Sequence, residues 1–306
     1  MSTPRATGQK VWFITGSSRG FGREWAAAAL DRGDLVAATA RHPRDLQGLV
    51  DRYGDAVLPL RLDVTDRDGA FDAVARAHTH FGRLDVVVNN AGFGQFGMVE
   101  ELGEAEARAQ LETNVLGVLW VTQAALPYLR AQRSGHLVQV SSICGIDAYP
   151  NIAMYCATKF AVEGLSQGLA KEVEGFGIHV TLVEPGGYDT DWAGSSAARS
   201  EPIPAYDGAR QAALDARARR VGTPGDPSAS AIGLLAVVDA ARPPLRILLG
   251  DGPLRTARRE YERRLQEWTS WAGVSVASHG GGFVVPNDLR GIDLPAKGID
   301  GDRGPR

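Results

Sequence analysis

Tyr155 and Lys159 stand four residues apart in Tyr155-Cys156-Ala157-Thr158-Lys159, within a helical pattern running from Asn151 to Gly175. Residues at that spacing share one helix face. A free phenol titrates near pH 10, which makes it a poor proton donor or acceptor at neutral pH. An ammonium held beside it favours the phenolate, and each unit of lowering corresponds to about 1.4 kcal/mol. The pair is a candidate general acid/base. The alternative is an aromatic at a helix start with a solvated lysine one turn later. Composition bears on the choice, because only Lys10, Lys159, Lys171 and Lys297 are lysines among 33 basic residues. Against that arginine bias, a lysine at 159 argues for a compact ammonium, which a planar guanidinium does not replace.

Upstream, Leu137 to Ser142 reads as a buried strand with a polar end. Ser142 precedes Tyr155 by 13 residues, across a loop containing Gly145 and Pro150. A strand end and the following helix start can bring the two hydroxyls together, with Ser142 holding a carbonyl oxygen for protonation. A serine at a strand end also serves as plain turn chemistry.

These groups need a scaffold, and the chain supplies alternating β-rich runs and helical stretches. Val11-Trp12-Phe13-Ile14 is a continuous apolar run of the parallel-strand type. Helix is expected at 20–31, 43–53, 67–80, 104–132, 151–175, 205–220, 227–241 and 254–271. Strands are expected at 35–39, 57–62, 84–89, 137–141, 178–184 and 245–249. Repeated strand–helix units imply a doubly wound parallel sheet with right-handed crossovers and helices on both faces, an α/β fold in one domain. Leu111 to Leu126 is apolar nearly all round, suiting burial on several sides or a subunit contact. We place the domain at 10–277, with a substrate loop at about 187–224. A flexible N-terminus at 1–9 and a mobile Gly/Pro/Asp-rich tail at 278–306 flank it.

Composition excludes several classes. At 306 residues, 44% apolar and 23% charged, the chain can build a sizeable core. A net charge of −3 gives no case for nucleic acid or an anionic membrane surface. Two cysteines, Cys144 and Cys156, suit a reduced cytoplasmic protein. No apolar run approaches the roughly 18 residues of a membrane span, and Met1 to Gln9 lacks a signal-like apolar core. The six histidines show no metal-ligand spacing, so no metal is expected.

Thr15-Gly16-Ser17-Ser18-Arg19-Gly20-Phe21-Gly22 joins the first strand to the first helix. Its glycines permit a tight turn and let backbone N–H groups approach a pyrophosphate at a helix N-terminus. With Asn89-Asn90-Ala91-Gly92, Asn114, Ser142, Tyr155-x-x-x-Lys159 and Pro185-Gly186, it resembles the short-chain dehydrogenases/reductases in order and spacing, over roughly Lys10 to Trp271. The resemblance implies a single Rossmann-type domain and hydride transfer between a nicotinamide and a carbonyl/alcohol pair. It implies Tyr155 as the acid/base, with Lys159 holding the nicotinamide ribose and lowering the Tyr155 pKa. Ser142 would orient the substrate oxygen, and Asn114 would support a water-linked proton path to Lys159. The cofactor set it implies is Gly16, Ser18, Arg19, Gly20, Phe21 and Gly22 at the pyrophosphate. Asp63 and Val64 serve the adenine, and Asn90, Ala91 and Gly92 the adenosine side. Pro185, Gly186, Tyr188 and Thr190 serve the nicotinamide, with Tyr188 in place of the aliphatic residue common there. A homodimer or homotetramer is the expected assembly.

Cofactor choice depends on charge at the end of the second strand, where NAD sites usually place an acid. Here Thr39-Ala40-Arg41 has no acid before Asp45, and Arg19 sits in the phosphate turn. Two guanidiniums suit a 2′-phosphate, so NADP(H) is expected over NAD(H). Phe93, Phe96, Tyr149, Tyr188 and Trp192 fall in the substrate-side segments, an apolar and aromatic set without an evident carboxylate anchor, pointing to a fairly apolar ketone or secondary alcohol. A non-catalytic NADP sensor or scaffold on the same fold is the alternative. A nucleotide-sugar epimerase relative is disfavoured by the turn spacing and the lack of a second domain.

Overall fold

The structure is a computed structural model, and it describes residues 8–279. The described residues separate into two compact units, 8–257 and 258–279. The first opens with β1 (Val11–Ile14), α1 (Gly20–Asp31), β2 (Leu35–Ala40), α2 (Gln47–Tyr53), β3 (Val57–Arg61), α3 (Arg67–Phe81) and β4 (Val86–Asn89). It continues with β5 (Gln95–Phe96), α4 (Glu104–Leu111), α5 (Gly117–Gln132), β6 (Gly135–Val140), α6 (Ala153–Val173) and β7 (Ile178–Pro185). Then come β8 (Ala198–Arg199), α7 (Asp207–Val221), α8 (Ser230–Asp239), β9 (Arg246–Leu249) and the start of α9 (Pro253–Ser270). The second unit holds the rest of α9 and α10 (Ala272–Ser278). There Glu260 accepts from Arg263 at 2.8 Å and Arg264 at 2.7 Å.

Seven strands pair in parallel in the order β3-β2-β1-β4-β6-β7-β9. β1 lies between β2 and β4, with Trp12 opposite Val36 on one side and Val86 on the other. The chain reverses its direction of travel across the sheet at β1/β4, the crevice where such sheets bind ligands. Side chains of β1 alternate: Val11 and Phe13 enter one core with Val74, Val121 and Leu137, whereas Trp12 and Ile14 enter the other with Trp25, Val138 and Leu234. Both layers are fully dry at β1, which is why its sequence is apolar throughout. Phe13→Ala in such a position costs about 3–5 kcal/mol. This is the expected Rossmann-type α/β arrangement.

Three features depart from the element pattern read from sequence. The stretch 104–132 is interrupted by a π-turn at Glu112–Leu116, which separates α4 from α5. Helix 43–53 begins as a 3-10 turn, Pro43–Leu46, with proline at its first position. β5 and β8 form a small second parallel sheet of two residues each, too short to register as a period. The expectations for 1–9 and 278–306 fall outside the described residues, save for two residues at each inner edge.

Candidate active site

The turn after β1 is fastened to the end of β4. Thr15 Oγ1 accepts from the N–H groups of Asn90 and Ala91, both at 2.9 Å. Asn90 Nδ2 donates to the carbonyls of Thr15 at 2.9 Å and Gly16 at 3.1 Å. Gly16 takes a φ of +68°, and a Cβ at Gly22 would stand 2.3 Å from the Gly16 oxygen. The backbone therefore closes as only glycine allows. No side chain caps α1 at its N-cap Arg19, and no acid lies in its first turn. Its leading N–H groups are open to an anion, as a pyrophosphate requires.

At the adenosine end, Arg41, Asp63, Val64 and Thr65 line the same cavity as the turn. Asp63 accepts from the Thr65 hydroxyl at 2.8 Å. Arg19 Nη1 donates to Asp191 Oδ2 at 2.9 Å, so the turn is tied to the segment after β7. Asp191 also accepts from Ser195 and Ser196, which hold its carboxyl below its usual range ahead of any effect of Arg19. Phe21 stacks on Trp25 at 5.0 Å and meets the edge of Tyr188 at 5.0 Å. The rings of both cofactor candidates, Phe21 and Tyr188, thus pack against the core beneath the turn.

Near the centre, the β6 end and α6 bring Ser142, Tyr155 and Lys159 to the cavity wall. Ser142 Oγ accepts from Cys144 N–H at 3.1 Å, capping a short 3-10 turn. Tyr155 is buried; burial pushes its phenol up from the ordinary value, and the Ser142 hydroxyl works in the opposite direction. Lys159 Nζ lies 5.6 Å from the Tyr155 ring centre and donates to the Val140 carbonyl at 2.7 Å. Burial brings the Lys159 ammonium down to about 8. Asn114 sits inside the π-turn, a distortion frequent at functional sites. Its side chain is spent on Phe93, accepting from the N–H and donating to the carbonyl at 3.0 Å each, and on Thr158 at 3.1 Å. It braces the Ala91–Phe93 strand exit against α6.

Pro185, Gly186, Tyr188 and Thr190 close the wall after β7, followed by Trp192. The Trp192 ring packs on Tyr155 at 4.8 Å and on Phe96 at 5.4 Å. The cavity measures about 970 Å³ and runs from Arg41 through the turn to Trp192 and α7. Arg217 and Arg220 on α7 also reach it. Sequence reading passed over them, and their only signal was two arginines three apart on a helix. Among the described residues, no group of three His, Cys, Asp or Glu side chains is placed to hold a metal ion.

A family model for short chain dehydrogenase matches residues 10–201. The chain belongs to the short chain dehydrogenase family. Members are oxidoreductases acting on CH–OH/C=O pairs, and this one is an oxidoreductase of that kind. It is similar to Oxidoreductase BOA17 of Botryotinia fuckeliana, 44% identical over 88% of this chain and 99% of that one. The crystal structure of a short-chain dehydrogenase from Streptomyces avermitilis superposes with a TM-score of 0.83, at 38% identity over 90% of this chain and 100% of that one. An alcohol dehydrogenase from Thermococcus sibiricus, complexed with 5-hydroxy-NADP, gives a TM-score of 0.66 at 27% identity over 79% and 96% of the two chains. A family member from Burkholderia phymatum in complex with NAD gives 0.72 at 25% identity over 84% and 95%. Among the described residues of this dehydrogenase, no helix is long and apolar enough to cross a membrane.

Proposed function

We propose that this dehydrogenase uses NADP(H) to interconvert a fairly apolar ketone and its secondary alcohol, with Tyr155 as the acid/base. The carrying observation is that Ser142, Tyr155 and Lys159 share one cavity wall with the glycine turn. Gly16, Ser18, Gly20 and Gly22 would hold the pyrophosphate, Asp63, Val64 and Asn90 to Gly92 the adenosine. Pro185, Gly186, Tyr188 and Thr190 would hold the nicotinamide, with Tyr155 and Lys159 at its ribose. A bound NADPH would supply the hydride there.

The remaining chemistry falls to the chain. Burial keeps the Tyr155 phenol protonated at neutral pH, ready to donate to a carbonyl oxygen that Ser142 positions. In the reverse direction, the Lys159 charge favours the phenolate that takes the alcohol proton. Asn114 fixes the Phe93 backbone, which keeps the cavity wall opposite Tyr155 in place. Preference for NADP rests on Arg41, exposed at the end of β2 where no acid stands. Arg19 joins it when released from Asp191. The apolar stripe Leu111, Val115 and Leu119, exposed or half-buried, suits a homodimer or homotetramer contact, and the two free cysteines suit the cytoplasm. The test is turnover of a panel of ketones and secondary alcohols with NADPH, NADP, NADH and NAD, followed at the nicotinamide absorbance. Cofactor binding without turnover of any carbonyl would instead favour a sensor or scaffold.

A further inference from the structure

The α7 end of the cavity carries two arginines that, among the described residues, form no ion pair with a carboxylate. Arg210, Ala213, Arg217 and Arg220 are half-buried along one stripe of α7, while their neighbours Ala212, Asp215, Ala218 and Arg219 are exposed. The inward stripe of a helix is ordinarily apolar. Here three of these four positions are arginine. Arg210 has its counter-ion, donating to the two oxygens of Glu101 at 2.8 and 2.6 Å. Among the described residues, no carboxylate forms an ion pair with Arg217 or Arg220.

Aromatic faces hold these two instead. The Arg217 guanidinium lies 5.8 Å from the Trp192 ring and 6.0 Å from Phe96, and Arg220 lies 3.6 Å from Tyr149. Arg199 of β8 stands 5.2 Å from the same Phe96 ring. Burial, then the charges of Arg220 and Arg199, push the Arg217 guanidinium down from its usual range. Like charges gathered at a partly desolvated wall are unfavourable, and an anion beside them is correspondingly favoured. Trp192 is the link to the chemistry, since its ring also packs on Tyr155 at 4.8 Å.

We infer that the substrate of this dehydrogenase carries a carboxylate, held by Arg217 and Arg220 at the α7 end of the cavity while its carbonyl lies at Tyr155. The inference rests on the proposed carbonyl chemistry and adds the substrate class: a keto acid, or the matching hydroxy acid, with an apolar body against Phe96 and Trp192. A planar guanidinium pairs with a carboxylate through two parallel hydrogen bonds, which suits Arg217 better than a lysine.

The test uses methyl ketones of increasing length that end in a carboxylate, in its methyl ester, or in a primary amine, with saturating NADPH. At the length that spans Tyr155 to α7, kcat/KM for the acid should exceed that for the ester by roughly ten- to a hundredfold, as expected for a charge-assisted contact. The amine should be the poorest, and the differences should reside in KM. Arg217→Gln should bring the acid/ester ratio near one, and Arg217→Lys should restore part of it. Esters matching acids at every length, or Arg217→Gln lowering both alike, would show that the arginines only pack on the rings. Thermal shift of NADPH-loaded Tyr155→Phe separates the two readings. Arg217-dependent protection by the acids without turnover in the parent would sink the carbonyl chemistry and keep the anion site. Ketone turnover without acid preference would do the reverse. Neither acid-dependent turnover nor acid-dependent protection would overturn the inference.

Discussion

Lys159 donates to the carbonyl oxygen of Val140, the last residue of β6, at 2.7 Å. One strand end therefore anchors the lysine and, two residues on, presents Ser142. Burial lowers Lys159 to about 8, with Glu163, one turn along α6, pulling the other way. A depressed value means that this group's stabilising contribution is full above its ordinary 10.5 and is lost as pH falls through about 8. Lys159→Met should flatten the rise in stability between those limits, measured by urea unfolding across that range. Identical pH slopes in parent and variant would contradict the buried, depressed ammonium.

Tyr155→Phe should cut kcat by about 10²–10⁴, the usual worth of a positioned proton donor. The ring contact with Trp192 does not use the hydroxyl, so the NADPH-induced rise in Tm should persist. Near-parental turnover of any ketone by this variant would remove Tyr155 from the chemistry.

Cofactor preference should respond to Arg41 more than to Arg19. A charge-assisted hydrogen bond is worth about 1.5–3 kcal/mol, so Arg41→Asp should shift the NADPH/NADH ratio of kcat/KM by tenfold or more. Arg19→Ala should shift it less, because that guanidinium already engages Asp191 at 2.9 Å. The acid belongs at 41 because the Ala40 side chain is only 5% exposed, within the core. A parent that prefers NADH would reverse the assignment.

His136 should limit acid stability. Thr181 Oγ1 donates to the Pro244 carbonyl at 2.6 Å, so His136 Nε2 donates to that hydroxyl at 2.9 Å. Burial, then the nearby His179, lowers its pKa to about 4. Its contribution is full above 6.5 and lost as pH falls through about 4, worth up to about 3 kcal/mol. His136→Gln should lose less Tm than the parent between pH 7 and 4.5; equal losses would place the acid sensitivity elsewhere.

A buried carboxylate pair should show the opposite sign. Arg246 Nε lies 2.9 Å from Glu163 and 3.4 Å from Glu184. Burial, then the Glu163 charge, pushes Glu184 up to about 8. Its contribution is full below 4.5 and lost as pH rises through about 8. Glu184→Gln copies the protonated form, so it should match the parent at pH 6 and exceed it in Tm at pH 9. A variant less stable than the parent at pH 9 would show that Glu184 is needed as a charge.

Much of this protein was legible locally. Periods of two and 3.6 residues placed the strands and helices, because side-chain direction repeats with backbone geometry alone. The turn at Gly16 to Gly22 and the pairing of Ser142 with Tyr155 were readable for the same reason: each spans one strand, one loop and one helix start. Tertiary structure decided what depends on distant segments meeting. Arg19 and Asp191 lie 172 positions apart, and no local pattern says that the arginine is already paired. Asn114 bonds through its side chain to Phe93 and Thr158, 21 and 44 positions away, contacts that no local pattern announces. Arg217 and Arg220 drew no notice in the sequence, since charge on a helix is ordinarily turned to water. Only the fold shows that α7 lies with that face toward Trp192, because which side of a helix is inside is set by what packs against it.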